Sequence, residues 1–365
     1  MRLPRCFSDE RDSYVLGLLR VALATLLFLH SWTLLQEWRN FTYFGEIFHL
    51  SLIPEAWLPS RSAYGALLVA KLGLCALALL GLAPRPALLG AALLGLFGLA
   101  CDRLQYHNNR YVLHLVALLV AFTPCDRSFL FLRRPHALPE AERSAPRWAA
   151  YLLGLQLSLV YLSSSLGKLL DADWRSGTVM LLRFGTGLKL SEQWLPGGAA
   201  SIVGWPVFAQ AASLAAIGTE LCLAIGLWLP RTRKCGLWLG TMFHAGIELS
   251  AHVELFSYLM VSSYLVFVTP QLRTRRLQWA PENARAKRLS ALLLRLDWLA
   301  RFRHEQQPAA GPLLIARDRS GKAHVGWAAA REVAGATPLL FPLWLPLGFV
   351  AWWRREPPAP GQLLG

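Results

Sequence analysis

Residues 161–177 (YLSSSLGKLLDADWRSG) place a lysine near the end of an apolar run and two aspartates within the next two turns. Lys168 is a candidate base. Burial among apolar groups makes a lysine easier to deprotonate, and a nearby carboxylate works against that. A structural reading of the same residues has the Lys168 chain reaching a membrane interface and pairing with Asp171. Asp171 and Asp173, followed by Trp174, also form a D-x-D triplet of the kind that holds a metal in sugar transferases. No other part of such a site is visible, and no metal is expected.

Residues 105–111 (QYHNNRY) bring Asn109 and Arg110 together, with His114 one turn further on. They could line a site, or the Asn-Asn pair could mark a turn and Arg110 the edge of a membrane span. His244 and Glu248 are four residues apart and share a helix face. This is not the HExxH spacing of zinc proteases, so a structural His–Glu hydrogen bond is expected there. Glu220 and Arg20 each stand inside an apolar run and should face protein.

The elements that must position these groups are membrane helices. Fifty-five per cent of the chain is hydrophobic and 16% is charged, which is too apolar for an ordinary soluble protein, and the 15 tryptophans suit headgroup-level anchoring. Apolar runs at 14–35, 63–82, 86–101, 111–122, 148–170, 206–229, 235–249 and 255–268 predict about eight helices. The formal charge of +15 falls in alternate segments. Arg11, Arg85, the loop with Arg127 and Arg143, the turn with Arg231 and Arg233, and the chain after Pro270 carry it, whereas 36–62, 104–110, 171–205 and 250–254 carry little. That alternation predicts both ends in the cytoplasm of a cell (inner) membrane, and anionic lipid, not nucleic acid, as the partner. It also gathers Arg110, Lys168, Glu248 and His252 toward the opposite side. The six cysteines show no CxxC spacing and read as free thiols, and the first apolar run reads as a retained helix without a cleavage site.

From Gln271 to His304 nine Lys/Arg face two acidic residues, Glu282 and Asp297. Leu289, Leu292, Leu293, Leu296 and Leu299 recur at helical spacing, which predicts a basic amphipathic helix and linker over 271–307 lying on anionic headgroups. A small tail, 308–365, should follow. It has a strand-like run at 313–316, a turn at 318–321, a short helix from Trp327, and an apolar segment at 339–353. That segment, which contains Pro342 and Pro346, is short for a span and would put Arg354 and Arg355 outside, so an interfacial segment is expected over a ninth span.

Three motifs, taken in order, resemble the HTTM membrane domain, which is related to the membrane domain of vitamin K-dependent gamma-carboxylases. They are His107 to Tyr111, the stretch from Val160 through Lys168 to Trp174 with Gly177, and Phe243-His244 followed by Leu255-Phe-Ser-Tyr258. Glu220 and the turn at 230–233 are similar to that family too, and the likeness covers about residues 10–270. The resemblance implies lysine-based proton-transfer chemistry at Lys168 with a reduced, vitamin K-like quinone as cofactor. Where the carboxylases have Lys-Lys this chain has Lys168-Leu169. Their histidine after Asn-Asn is Arg110, which stays protonated. Residues 313–350 are similar to the later part of DCC-type thiol–disulfide-like domains, without the Cys-x-x-Cys of those domains. The expected fold is therefore all-α, a polytopic transmembrane bundle with a short, mainly cytoplasmic α/β-like tail. Its expected function is binding of a quinone- or lipid-like molecule with Lys168 chemistry; the alternative is a non-catalytic binding, transport or scaffold protein.

Overall fold

The computed structural model describes residues 10–40, 50–103, 106–130, 144–146, 148–187, 204–250, 253–269, 272–307 and 312–354. The chain divides into two compact units, Met1–Val268 and Thr269–Gly365.

In the first unit a short strand β1 (Glu10–Asp12) leads into α1 (Tyr14–Arg39), α2 (Arg61–Leu80), α3 (Pro84–Cys101) and α4 (Asn108–Ala121). Strand β2 (Ser144–Pro146) pairs antiparallel with β1, and α5 (Trp148–Leu170), α6 (Ala172–Ser176), α7 (Thr178–Gly187), α8 (Pro206–Gly226), α9 (Arg233–Ser250) and α10 (Phe256–Ser263) follow. A 3-10 segment, Tyr264–Phe267, prolongs α10.

Local chemistry sets several helix ends. Ser60 caps α2 by accepting from Ala63 N, Gly81 closes it in the left-handed conformation (φ 75°), and Pro84 opens α3 at a position with no N–H to satisfy. The His107 ring caps α4 through Nδ1 and Asn109 N at 3.3 Å. α1 packs on α2, α2 on α3, α3 on α4, and α4 returns to α1; α5 packs on α8, and α10 touches both α1 and α4. A single apolar core runs through both groups, from Leu19, Leu23 and Leu27 to Leu153, Leu157 and Met260.

Each predicted apolar run is helical over most of its length. Among the described residues, α1, α2, α3, α5 and α8 are long and apolar enough to cross a membrane. α4 is short at 14 residues, α10 has only eight, and α9 carries basic residues at its start and Glu248 near its end. The candidate spans thus number five where the runs predicted about eight. Outward-facing Val69 on α2 and Leu155, Leu159 and Leu166 on α5 are exposed, as lipid-facing positions of such helices are. The region 171–205, read as a loop, contains α6 and α7.

Arg20 is wholly buried on α1. Its guanidinium donates to the carbonyls of Cys125 (3.1 Å) and Phe129 (2.6 Å), so this charge anchors the chain after α4 to the first helix. That satisfies the expectation that Arg20 faces protein.

The second unit holds β3 (Arg275–Trp279), α11 (Ala284–Leu296), β4 (Phe302–Gln306), β5 (Leu314–Arg317), β6 (Ala323–His324), α12 (Gly326–Ala334) and α13 (Trp344–Trp353). The sheet order is β4-β3-β5-β6, with β3 and β4 parallel and the other pairs antiparallel. Parallel neighbours need a crossover, and α11, capped by Asn283, provides it. The basic region 271–307, read as a helix and linker alone, therefore also contains two strands. Its leucines divide: Leu289 and Leu293 pack against Leu277, Phe302, Ala329 and Val333, whereas Leu292 and Leu294 stay exposed beside Arg288 and Arg295. The strand, turn and short helix expected after Leu313 are present at Leu314–Arg317, 318–321 and Gly326–Ala334.

Candidate functional site

Hydrogen bonds between α5 and α8 fix the register that matters. Ser165 Oγ donates to Ile217 O at 3.0 Å, which sets those residues level on two antiparallel helices. Lys168 and Glu220 each lie three residues from that level in opposite directions, so their Cα atoms differ in depth by about 9 Å at 1.5 Å per residue. Side chains on a helix lean toward its N-terminus, and the Lys168 chain follows that lean back along α5. Its Nζ reaches Ser164 Oγ at 2.5 Å and both oxygens of Glu220 at 2.7 Å. Ser164 Oγ in turn donates to Glu220 Oε1 at 3.1 Å. The lysine therefore points into the bundle, and its partner is Glu220, not Asp171.

Asp171 is engaged elsewhere. Its carboxylate caps α6, accepting from Asp173 N at 2.8 Å and Trp174 N at 3.4 Å. Trp174 lies against the pair, with Lys168 Nζ 5.1 Å from its ring centroid and the Arg183 guanidinium 5.2 Å from it. Among the described residues no group of three His, Cys, Asp or Glu could hold a metal ion.

The inward face of α5 continues as a polar stripe, Tyr161, Ser164, Ser165 and Lys168, at helical spacing. Tyr161 Oη lies 2.8 Å from His244 Nε2 and 2.5 Å from Tyr264 Oη, and it is within electrostatic reach of Glu220. Gly240 leaves the space that the Tyr264 hydroxyl occupies. His244 thus has a partner on α5 that the sequence did not suggest in place of the Glu248 bond expected. Its other nitrogen, Nδ1, is buried and has no hydrogen-bond partner among the described residues. A cavity of about 460 Å³ opens between α9 and α10, lined by His244 and Glu248 together with Thr241, Ser257, Tyr258 and Val261.

Asn109, Arg110 and His114 belong to another neighbourhood. Asn109 Nδ2 donates to Val253 O at 3.3 Å, and Arg110 forms a two-point pair with Glu254 at 2.7 and 3.3 Å. Hydrogen bonding from Arg110 holds the Glu254 carboxyl below the usual glutamate range, against a smaller opposing effect of burial. Arg110 and His114 line a small void of about 20 Å³ with His30, Tyr64 and Lys71, and that lining shares no residue with the α9–α10 cavity. The predicted site residues are thus split among Lys168–Glu220–Trp174, His244–Glu248 and Arg110–His114. His252 lies outside the described residues.

Tyr161 and Tyr264 were not singled out in the sequence, although the spacing of Tyr161 to Lys168 was legible there. Lys71 and His30 were also missed; a lone lysine in the run 63–82 is the signal that could have found the first of them.

The family model of the HTTM domain matches residues 9–271. No curated protein and no solved structure matches the chain. The match spans nearly all of the membrane unit and includes every residue of the three polar groups, and a relation to the gamma-carboxylase membrane domain is consistent with it. With its apolar helices, this multi-pass membrane protein belongs to the HTTM domain family.

Proposed function

We propose that the membrane unit binds a quinone- or lipid-like molecule with its polar head in the α9–α10 cavity, and that Lys168 and Glu220 exchange protons with that site. The observation that supports this most is the buried polar stripe from Lys168 and Glu220 through Tyr161 to His244, which ends beside a largely apolar cavity. Its volume of about 460 Å³ lies in the range of small-molecule sites, and the unpartnered Nδ1 of His244 leaves one polar group available to a ligand. A reduced quinone would supply an acidic hydroxyl and reducing equivalents when bound. The protein's own groups hold and orient protons. The ammonium at Lys168 Nζ is held between Ser164 and Glu220, and a proton moved to Glu220 would leave a neutral amine as base. Tyr161 keeps the His244 ring fixed in orientation.

The test is mass spectrometry of apolar compounds that co-purify in mild detergent. Wild type should carry one at near-stoichiometric amount, and Ala245→Trp, which fills the cavity, should lose it. No such compound, or equal retention by the variant, would sink the binding role. The rival is purely structural, since the Lys168–Glu220 pair also ties α5 to α8. The double change Lys168→Met with Glu220→Leu keeps the packing without the charges. Full function in cells at wild-type expression would favour that rival.

The orientation and lipid contacts are part of the same reading. Both ends are placed in the cytoplasm of a cell (inner) membrane, from the alternation of basic segments. Anionic headgroups are assigned to α11, where Arg288 and Arg295 are exposed beside Leu292, Leu294 and Trp298. Cysteine labelling that finds residues near 140 and 280 on opposite sides would overturn this topology.

A further inference from the structure

We propose that the small void between α1, α2, α3 and α4 is a binding site for one halide-sized anion, held by Lys71. Lys71 sits at the middle of a candidate span and is only 2% exposed. Among the described residues no carboxylate is paired with its ammonium, and Cys75, one turn further along α2, is the titratable thiol beside it. Lysine at such depth is costly, and natural proteins offset it with an opposite charge or a polar cavity. The lining of this void includes Lys71, His30, His114, Arg110 and Tyr64, and no aspartate or glutamate.

Two of its polar groups, Lys71 and Arg110, can only donate. His114 is 1% exposed, and its Nδ1 has no hydrogen-bond partner among the described residues. The rings of His30 and His114 lie 5.7 Å apart, centroid to centroid. Gly95 on α3 admits the His114 ring at a distance where any Cβ would collide with it. Arg110, at the rim, already has Glu254 as counter-ion, so that acid is committed. Lys71 is the buried cation left without one.

Size selects the ligand. About 20 Å³ is the room for a water or a single monatomic anion, and it fits a halide better than a sulfate, a phosphate or a lipid headgroup. A chloride or bromide ion would accept from Lys71 Nζ and supply the negative charge that the lining lacks. The site is distinct from the cavity assigned to the apolar ligand, and its test does not depend on that assignment.

The experiment compares thermal unfolding of the full chain in detergent, in sodium gluconate and in sodium bromide at equal ionic strength. Bromide should raise the midpoint of wild type, saturably, and the apparent bromide affinity should fall at least about tenfold in Lys71→Met, the size of one charge-assisted hydrogen bond. Lys322→Met, at an exposed lysine just before β6, should keep the wild-type bromide response. Equal responses of wild type and Lys71→Met would overturn the proposal. Should Lys71→Met not fold, bromide-soaked wild-type crystals decide it: an anomalous peak in the void supports the site, and none there refutes it.

Discussion

Two lysines 97 positions apart in sequence, Lys168 half-buried and Lys71 buried, meet the apolar interior in opposite ways. Lys168 has a carboxylate at 2.7 Å and a serine that bridges the pair, so α5 and α8 share a neutral polar unit. Lys71, on α2, has two histidines and an arginine around the void it lines and no acid there. The first charge is compensated by the fold; the second awaits compensation from outside it. The comparison teaches that a lysine in a membrane helix is informative through what faces it more than through its own position.

The sharpest way to break this contrast is to remove one partner of the compensated pair. Glu220→Leu strands the Lys168 ammonium and should cost about 3–5 kcal/mol, as for other buried pairs broken on one side. Adding Lys168→Met should recover most of that loss, and chemical or thermal unfolding in detergent checks both. Additive losses would mean the two residues do not interact. Lys71→Met should act with the reverse sign. In halide-free buffer it should stabilise by up to about 2.5–3.5 kcal/mol, the insertion cost of a lysine at the centre of a span. A loss of stability there would reveal a protein counter-ion and erase the distinction.

Smaller effects sharpen the picture of the Lys71 side. Gly95→Ala places a methyl group against the His114 ring, and overpacking of this kind should cost about 1–3 kcal/mol. A neutral result in the same unfolding assay would mean the ring has room to move away. The least effect belongs to the exposed rim. Glu254→Gln should cost about 0.2–1 kcal/mol, because a half-exposed pair is screened by solvent. Glu254 has a depressed folded-state pKa, so its contribution is present above the unfolded glutamate value and is lost as pH falls through the folded one. Wild type should therefore lose on acidification what the variant lacks at neutral pH, and a stability–pH profile of both proteins measures it.

Much of the fold was legible because long apolar runs leave few alternatives. Each of the eight runs is helical over most of its length, and among the described residues five of the helices are long and apolar enough to cross a membrane. Lys168 was legible too, as a charge at the end of such a run. Its partner was not. Asp171 is three residues away and looked adequate, but a residue just past a helix end is also well placed to cap the next turn, and Asp171 does that. Glu220 is 52 residues distant, and only the packing of α5 on α8 brings it within reach. His244 shows the same limit: helical spacing offered Glu248, and tertiary packing supplied Tyr161. The strands at Arg275–Trp279 and Phe302–Gln306 were hidden by their charged and polar residues, which outnumber the apolar residues whose alternation marks a strand.

One further consequence follows from Gly177, which has φ 85°. A Cβ at that position would collide with the backbone of Ala209 and Gln210, so the turn between α6 and α7 lies directly against α8. Ser213 Oγ donates to Trp174 O at 2.5 Å, and Gln210 Nε2 to Arg175 O at 3.2 Å. The chain just beyond Lys168 is therefore stitched to the same helix that carries Glu220. Such close-packed backbones transmit displacement instead of absorbing it. Lys168, Glu220 and Trp174 are thus all fastened to α8, and a shift of that helix would carry the three of them together.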